Sequence, residues 1–98
     1  MKNHPKWKRR AHRQTLRQFI LDERVPWRVR YETYLNSWIW AEFRKKILDA
    51  RGLMCERCGA SAPAAALHVH HLTYIRMGKE LPEDVKLLCV PCHKLMHH

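Results

Sequence analysis

Two kinds of metal-binding side chain occur together in residues 89–97, Cys89-Val90-Pro91-Cys92-His93-Lys94-Leu95-Met96-His97. Pro91 suits the first turn of a helix, where its missing N–H is not needed. In a helix, His93 and His97 are four positions apart and stand on one face, about 5–6 Å apart at Cβ. The segment therefore predicts a helix with a thiolate site at its start and an imidazole site along one side.

The four cysteines of the chain fall into two Cys-x-x-Cys pairs, Cys55/Cys58 and Cys89/Cys92. Two such pairs are typical of a tetrahedral zinc site, although four cysteines can also form disulfides. The chain opens with Met-Lys-Asn-His-Pro, and it contains no apolar run that resembles a signal peptide or a transmembrane helix. We therefore expect a reducing cytoplasm, no membrane association, and a structural Zn²⁺ on the four thiolates.

Two short strands are predicted upstream of the final helix. Residues 67–72 alternate as a strand does, residues 85–89 form a second apolar run, and the segment between them contains Gly78 and Pro82 and reads as a loop. The order is therefore strand, strand, helix, in a small α+β domain stapled by zinc and preceded by helices. The third ligand for the histidine pair must come from elsewhere, and His70 on the first strand is the natural candidate.

Neighbouring histidines leave alternatives open at this site. His68 shares a strand face with His70 and is its rival as a ligand, whereas His71 points differently and is available for another role. Imidazole titrates near pH 6.5 in water, at about the value that suits a general base. A second structural zinc, or histidines that only hydrogen-bond in a small core, is the alternative interpretation of the cluster.

Two helices are predicted in the first half of the chain. One runs from Arg10 to about Leu21, and the other runs from Trp38 to about Ala50, with Ser37 as its N-cap and Gly52 as its stop. Residues 25–36 are rich in aromatic side chains and are expected to form a connector that packs over the core. Three bases are predicted on the other side of the second helix, where they form either a basic surface that extends the footprint of the arm or an ordinary solvated face: Arg44, Lys45 and Arg51.

Basic residues outnumber acidic ones by nineteen to nine, which gives a formal net charge of +10, and residues 1–30 contain only Asp22 and Glu23 as acids. Such a segment suits contact with phosphates, with Trp7 as an occasional stacking ring. A solvated tail that aids solubility or binds an anionic membrane is the alternative. The bases expected to bind nucleic acid are Lys6, Lys8, Arg9, Arg10, Arg13 and Arg17.

Residues 34–97 resemble the HNH endonucleases, a family with a ββα-metal fold. The resemblance rests on the pair His70-His71, on His93 and His97, on the flanking cysteines, and on Asp84, which stands where the family usually has Asn. The His-His pair is similar to that of the colicin-type DNases, and the lead-in with Tyr34-Leu35, Trp40-x-x-x-Arg44 and Cys58-Gly59 is similar to that of small bacterial and phage members. Residues 1–30 are accordingly interpreted as a basic N-terminal arm and residues 31–98 as an HNH nuclease domain with a structural zinc site.

The resemblance implies a role for each member of this set. His70, His93 and His97 would hold a catalytic divalent ion, which could be Mn²⁺, Mg²⁺, Ni²⁺, Co²⁺ or Zn²⁺, and His98 could replace His97. His71 would be the general base that activates water. Asp84 would brace the loop that presents this base, although an ionised carboxylate can only accept hydrogen bonds whereas the family's Asn also donates them.

With this resemblance, the sequence predicts a metal-dependent DNA endonuclease, acting by nicking or by double-strand cleavage. The resemblance implies products that carry a 5′ phosphate and a 3′ hydroxyl. A larger phage or restriction complex is a possible setting. The main alternative is a zinc-stapled accessory module that binds nucleic acid without cleaving it. A nuclease that acts on RNA or tRNA is a third hypothesis, because neither the basic arm nor the histidine site distinguishes ribose from deoxyribose.

Overall fold

The computed structural model describes residues 14–63 and 65–96. The elements are helices α1 (Leu16–Leu21), α2 (Trp27–Leu35) and α3 (Trp38–Arg51), strand β1 (Leu67–His71), a 3₁₀ turn (Pro82–Asp84), strand β2 (Val85–Cys89) and helix α4 (Val90–Met96). The predicted α+β class and the order strand, strand, helix are confirmed. None of the helices in these residues has the length and apolar character needed to cross a membrane.

Two compact units divide the chain between Ala41 and Glu42. In the first unit, α1 begins after Thr15, whose side chain accepts a hydrogen bond from the Gln18 N–H while the Gln18 side chain accepts one from the Thr15 N–H. This reciprocal cap fixes the helix start at Leu16. The predicted beginning at Arg10 lies outside the described residues, and the predicted end at Leu21 is confirmed.

Within the aromatic connector predicted for residues 25–36, Trp27–Leu35 form helix α2, which was not predicted from the sequence. Pro26 occupies the position before the first helical residue. Trp27, Tyr31 and Tyr34 recur at helical spacing, and the rings of the first two stack with centroids 4.8 Å apart. The predicted boundary between the arm and the nuclease domain, at residues 30 and 31, falls inside this helix.

Helix α3 confirms the prediction for residues 38–50. The Ser37 hydroxyl accepts a hydrogen bond from the Trp40 N–H at 3.3 Å, and this caps the helix start. At the other end the helix extends through Arg51, and Gly52 follows with a φ of 82°, the left-handed conformation that commonly stops a helix. Arg44 and Lys45 are exposed as predicted.

The prediction that Arg51 belongs to this solvated basic surface is wrong. Its guanidinium donates hydrogen bonds to the carbonyl oxygens of Val85, at 2.8 Å, and of Pro82. These bonds connect the end of α3 to the 3₁₀ turn and to the first residue of β2. Arg51 is therefore a structural link inside the second unit.

Strands β1 and β2 are antiparallel, with His71 opposite Val85 and His70 opposite Lys86. Because side chains alternate along a strand, His68 and His70 share one face of this pair, and Leu67, Val69 and His71 share the other. Helix α4 follows β2 directly, and its His93 ring contacts the rings of His68 and His70. The main cluster of buried side chains comprises Cys55, Leu67, Leu88, Cys89 and Cys92.

Candidate functional site

The four cysteines meet where the turn at residues 55–58 lies against the junction of β2 and α4. Their sulfur atoms all lie within 4.8 Å of one another, and the sulfurs of Cys58 and Cys89 are 3.6 Å apart. In a tetrahedral zinc site with bonds of about 2.3 Å, the sulfurs are about 3.8 Å apart. The predicted clustering is confirmed, and both the donor set and the spacing fit a structural metal such as zinc.

The first cysteine pair is shaped by its own backbone. The N–H groups of Arg57 and Cys58 each point at the Cys55 sulfur, at 3.4 Å. Gly59 has a φ of 84° and donates its N–H to the Cys55 carbonyl at 3.0 Å, which closes the turn. Only the backbone conformation requires glycine here, because an added Cβ would meet nothing within 4 Å.

Ionisation differs strongly between neighbouring cysteines. Burial disfavours the Cys55 thiolate, but hydrogen bonds with the backbone of Cys89, Cys58 and Arg57 outweigh it and lower the pKa of Cys55 to about 5. A backbone hydrogen bond from Cys92 opposes the shift at Cys89, yet burial and the neighbouring sulfurs raise the pKa of Cys89 to about 12. Four thiolates this close together repel one another, and a bound cation would offset that repulsion.

The cysteine cluster also fixes the helix that carries His93. Glu56, inside the first cysteine pair, donates its N–H to the Leu87 carbonyl at 2.8 Å and accepts the Leu87 N–H on its carboxylate at 2.6 Å. These bonds attach the turn to β2. Cys92 is buried in α4 and immediately precedes His93, so the position of the sulfur site determines the position of this imidazole.

Three imidazoles converge on the face of the sheet that α4 covers. The His93 ring centroid lies 4.9 Å from that of His68 and 5.0 Å from that of His70, and the Nδ1 atoms of His68 and His93 are 2.9 Å apart. Two nitrogens that bind one ion at about 2.1 Å, at right angles, are also about 3 Å apart. Imidazoles at this spacing can share a proton or a divalent cation.

Of the predicted imidazole ligands, the structure brings His70 and His93 together and adds His68 as a direct neighbour of His93. His97 and its alternative, His98, lie outside the described residues. Within residues 14–63 and 65–96, the four cysteines are the only group of three or more donors whose ligand atoms lie close enough together to hold one ion. The complete histidine ligand set therefore remains a prediction.

His71 ends β1 and is buried on the opposite face. Its Nε2 lies 2.7 Å from Glu80 Oε2, and the two side chains are only 3% and 1% exposed. The ring also stacks on Tyr74, with centroids 4.9 Å apart and an interplanar angle of 28°. Glu80 was missed in the sequence because it stands nine positions from its partner in a segment that reads only as a loop.

Asp84 connects several parts of the loop between the strands. Its carboxylate accepts two N–H groups of Arg76, one of them at 2.7 Å, and the Leu81 N–H at 2.9 Å, while its backbone carbonyl accepts the Leu72 N–H at 2.8 Å. The Arg76 hydrogen bonds, followed by that of Leu81, lower the pKa of Asp84 to about 2 despite its burial. Asp84 is therefore ionised at neutral pH and joins both ends of the loop next to His71.

One of the bases predicted to contact nucleic acid lies within the described residues. Arg17 lies on α1 and is exposed. The remaining predicted bases fall outside the described residues, and their contribution to DNA binding remains a prediction: Lys6, Lys8, Arg9, Arg10 and Arg13.

Residues 55–98 match the family model of the HNH endonucleases. The matched segment contains both cysteine pairs, β1, the loop with Glu80 and Asp84, β2 and α4. The predicted resemblance is thus confirmed for this part of the chain. A comparison with curated proteins and a comparison with solved structures each found no significant match.

Proposed function

We propose that this protein is a metal-dependent endonuclease that hydrolyses phosphodiester bonds in DNA. The observation that carries the proposal is the contact of His93, on a helix fixed by the cysteine cluster, with His68 and His70 on β1. The neighbouring residue His71 is held by a carboxylate on the other side of the strand. The family match over this segment supports nuclease chemistry for such an arrangement.

The metal sites follow from the donor types. Zn²⁺ on Cys55, Cys58, Cys89 and Cys92 would be structural, because four thiolates complete a tetrahedral shell. His70, His93 and His97 would hold the catalytic ion, which would supply positive charge to the phosphate in the transition state. Imidazole ligands favour Mn²⁺, Ni²⁺, Co²⁺ or Zn²⁺, and Mg²⁺ also suits a site that water and phosphate oxygens complete.

In this proposal, His71 removes a proton from the attacking water. The water oxygen forms a bond to phosphorus as the bond to the 3′ oxygen breaks. The 3′ oxygen then takes a proton from solvent, so that the products carry a 5′ phosphate and a 3′ hydroxyl. Asp84, through its hydrogen bonds to Arg76, Leu81 and Leu72, keeps the loop beside His71 in one conformation. A positioned general base contributes about 10²–10⁴-fold to such a reaction.

Charge supports DNA as the partner. A net charge of +10 and the basic segment at residues 1–30 suit a polyanion, and contacts to phosphates would be independent of sequence. Thiolate ligands suit a reducing compartment such as the cytoplasm. A phage or restriction complex would be a setting in which a small nuclease of this kind obtains its target.

The test is incubation of supercoiled plasmid with the full chain and a panel of divalent ions, with and without chelator. We expect nicked or linear plasmid only with an ion, loss of cleavage in His93→Ala, and full activity in Lys94→Ala, the exposed neighbour on α4 that serves as a control. Absence of cleavage with every ion would contradict the proposal. A parallel incubation with RNA tests the RNA nuclease alternative, since preferred cleavage of RNA would replace DNA as the substrate.

A second candidate is a module that binds nucleic acid without cleaving it. The burial of His71, whose side chain is 3% exposed, favours this candidate because a general base must reach a water molecule. Binding of labelled DNA, measured beside the plasmid assay, separates the two functions. Salt-sensitive binding with no cleavage by any ion would establish the module, and metal-dependent cleavage would exclude it.

A further inference from the structure

Glu80 carries a buried carboxylate that the proposed reaction does not by itself require. Its side chain is 1% exposed, and burial of an ionised carboxylate is unfavourable unless donors compensate it. Oε1 accepts the Gly78 N–H at 3.1 Å, and Oε2 lies 2.7 Å from His71 Nε2. Each carboxylate oxygen of Glu80 therefore has a hydrogen-bond partner, and the partner of Oε2 is His71, the proposed general base.

The loop places Glu80 there through two consecutive turns. The Met77 N–H donates to the Tyr74 carbonyl at 3.1 Å, and the Lys79 N–H donates to the Arg76 carbonyl at 2.7 Å. Gly78, with a φ of 91°, adopts the left-handed conformation that the second turn needs. The chain thereby reverses direction after Tyr74 and returns Glu80 to the end of β1.

We propose that Glu80 is a positioning residue, which holds His71 in the tautomer and ring orientation where Nδ1 receives the proton of the attacking water. This inference rests on the proposed nuclease function. The 2.7 Å hydrogen bond joins the Nε2 edge of the ring to Glu80, so a His71 ring that donates to this carboxylate carries its proton on Nε2. The atom that takes up a proton is then Nδ1.

Tyr74 fixes the same ring from a second direction. Its ring stacks on that of His71 with centroids 4.9 Å apart, which opposes rotation of the imidazole out of its plane. A flipped imidazole would keep the stacking contact but would lose the hydrogen bond to Glu80. The carboxylate is therefore the group that decides which edge of the ring faces the reaction, as partners of catalytic histidines commonly do.

Two substitutions of Glu80 test this role. Glu80→Ala removes the acceptor, and we expect kcat to fall by about 10–100-fold, the usual effect of losing such a supporting partner, while KM stays constant. Glu80→Gln keeps an oxygen that accepts from His71 Nε2 and should recover most of the loss. Glu83→Ala, at an exposed acid in the same loop, is the matched control and should cleave like the unsubstituted protein.

A readout that needs no cleavage separates this inference from the proposed function. In ¹⁵N NMR spectra of the zinc-loaded full chain with neutral His71, we expect a ring protonated at Nε2, and a mixture of tautomers in Glu80→Ala. A ring protonated at Nδ1 would overturn the inference, as would equal kcat in the unsubstituted protein, Glu80→Ala and Glu80→Gln. If the unsubstituted protein cleaves nothing, the nuclease proposal fails, and the tautomer alone decides whether Glu80 orients His71.

Discussion

His68 on β1 and His93 on α4 approach each other with their Nδ1 atoms 2.9 Å apart. The ring centroid of His70, on the same face of the strand, lies 5.0 Å from that of His93, and the ring centroids of His68 and His93 are 4.9 Å apart. Two imidazoles of β1 are therefore in position to join His93 around one ion. Substitution of each in turn distinguishes them.

For the catalytic ion, we expect His70→Ala and His93→Ala to abolish binding of Mn²⁺ to the zinc-loaded protein, because each removes a ligand. His68→Ala should retain this binding, and Lys94→Ala, next to His93, is the control for changes in α4. Calorimetric titration with Mn²⁺ measures the affinities. If His68→Ala loses the ion while His70→Ala keeps it, His68 is the ligand and His70 a neighbour.

For the general base, His71→Ala should lower kcat by about 10²–10⁴-fold and leave Mn²⁺ and DNA affinity nearly unchanged. The substitution also removes a buried partner of Glu80, so thermal unfolding is recorded in parallel. Val69→Ala, on the same buried face of β1, is the matched control: it should lose stability without losing cleavage per folded molecule. Similar losses of kcat in both variants would mean that His71 acts through packing alone.

For the structural metal, the protein should contain one tightly bound zinc, and Cys89→Ser should unfold the second compact unit. Zinc in such sites contributes about 10–16 kcal/mol of apparent binding free energy to folding. Elemental analysis and thermal unfolding before and after chelation provide the measurement. Leu88→Ala, which removes a fully buried neighbour but no ligand, should lower stability at unchanged zinc content. Full thermal stability of the stripped protein would exclude the site.

For Asp84, the prediction concerns the cleavage rates of the unsubstituted protein, Asp84→Asn and Asp84→Ala. Asp84→Asn keeps an oxygen that can accept the Leu81 N–H, and it adds an amide donor. Neutral hydrogen bonds replace charged ones, which are stronger, so any loss of activity should be limited to about tenfold, and activity could also rise. Asp84→Ala leaves Leu81 and Arg76 without this acceptor, at a cost of roughly 1–3 kcal/mol for a buried donor, and cleavage should fall by one to two orders of magnitude.

Plasmid cleavage rates of these two variants, beside Glu83→Gln as an exposed acidic control, give the order. Equal damage by Asp84→Asn and Asp84→Ala would show that the negative charge itself is needed, as the partner of Arg76, and that bracing of the loop is secondary.

For the basic arm, replacement of Lys6, Lys8, Arg9, Arg10 and Arg13 by Gln should weaken DNA binding equally across sequences. Each lost phosphate contact lowers the slope of log affinity against log salt by about 0.9. Substitution is preferable to removal of residues 1–17, because removal also deletes the Thr15 cap of α1. Binding anisotropy over a salt series measures the slope, with Lys46→Gln on α3 as the control. An unchanged slope would make the arm a solubility tail.

Local signals predicted the fold of the second unit well. Cysteine spacing, strand alternation and Pro91 carry information within a few residues, and they located the sulfur cluster, both strands and α4. Helix α2 was missed because its aromatic and β-branched residues are common in extended segments. The spacing of Trp27, Tyr31 and Tyr34 was the signal that could have identified it.

The partners of the predicted site residues depended instead on tertiary structure. Glu80 reaches His71, and Arg76 reaches Asp84, only because the loop turns back on itself at Gly78. Arg51 fits the solvated face of an amphipathic helix, yet it bonds to carbonyls more than thirty positions later. Spacing rules that operate within one helix or strand contain no information about contacts of this kind.

Helix α4 is only seven residues long, and isolated helices shorter than about 12–15 residues are marginal in water. Its last turns therefore depend on the sulfur cluster at its start. We therefore expect a newly made chain to acquire zinc before His93 can reach β1. We expect the zinc supply to limit how many copies reach the folded state in which His93 contacts β1.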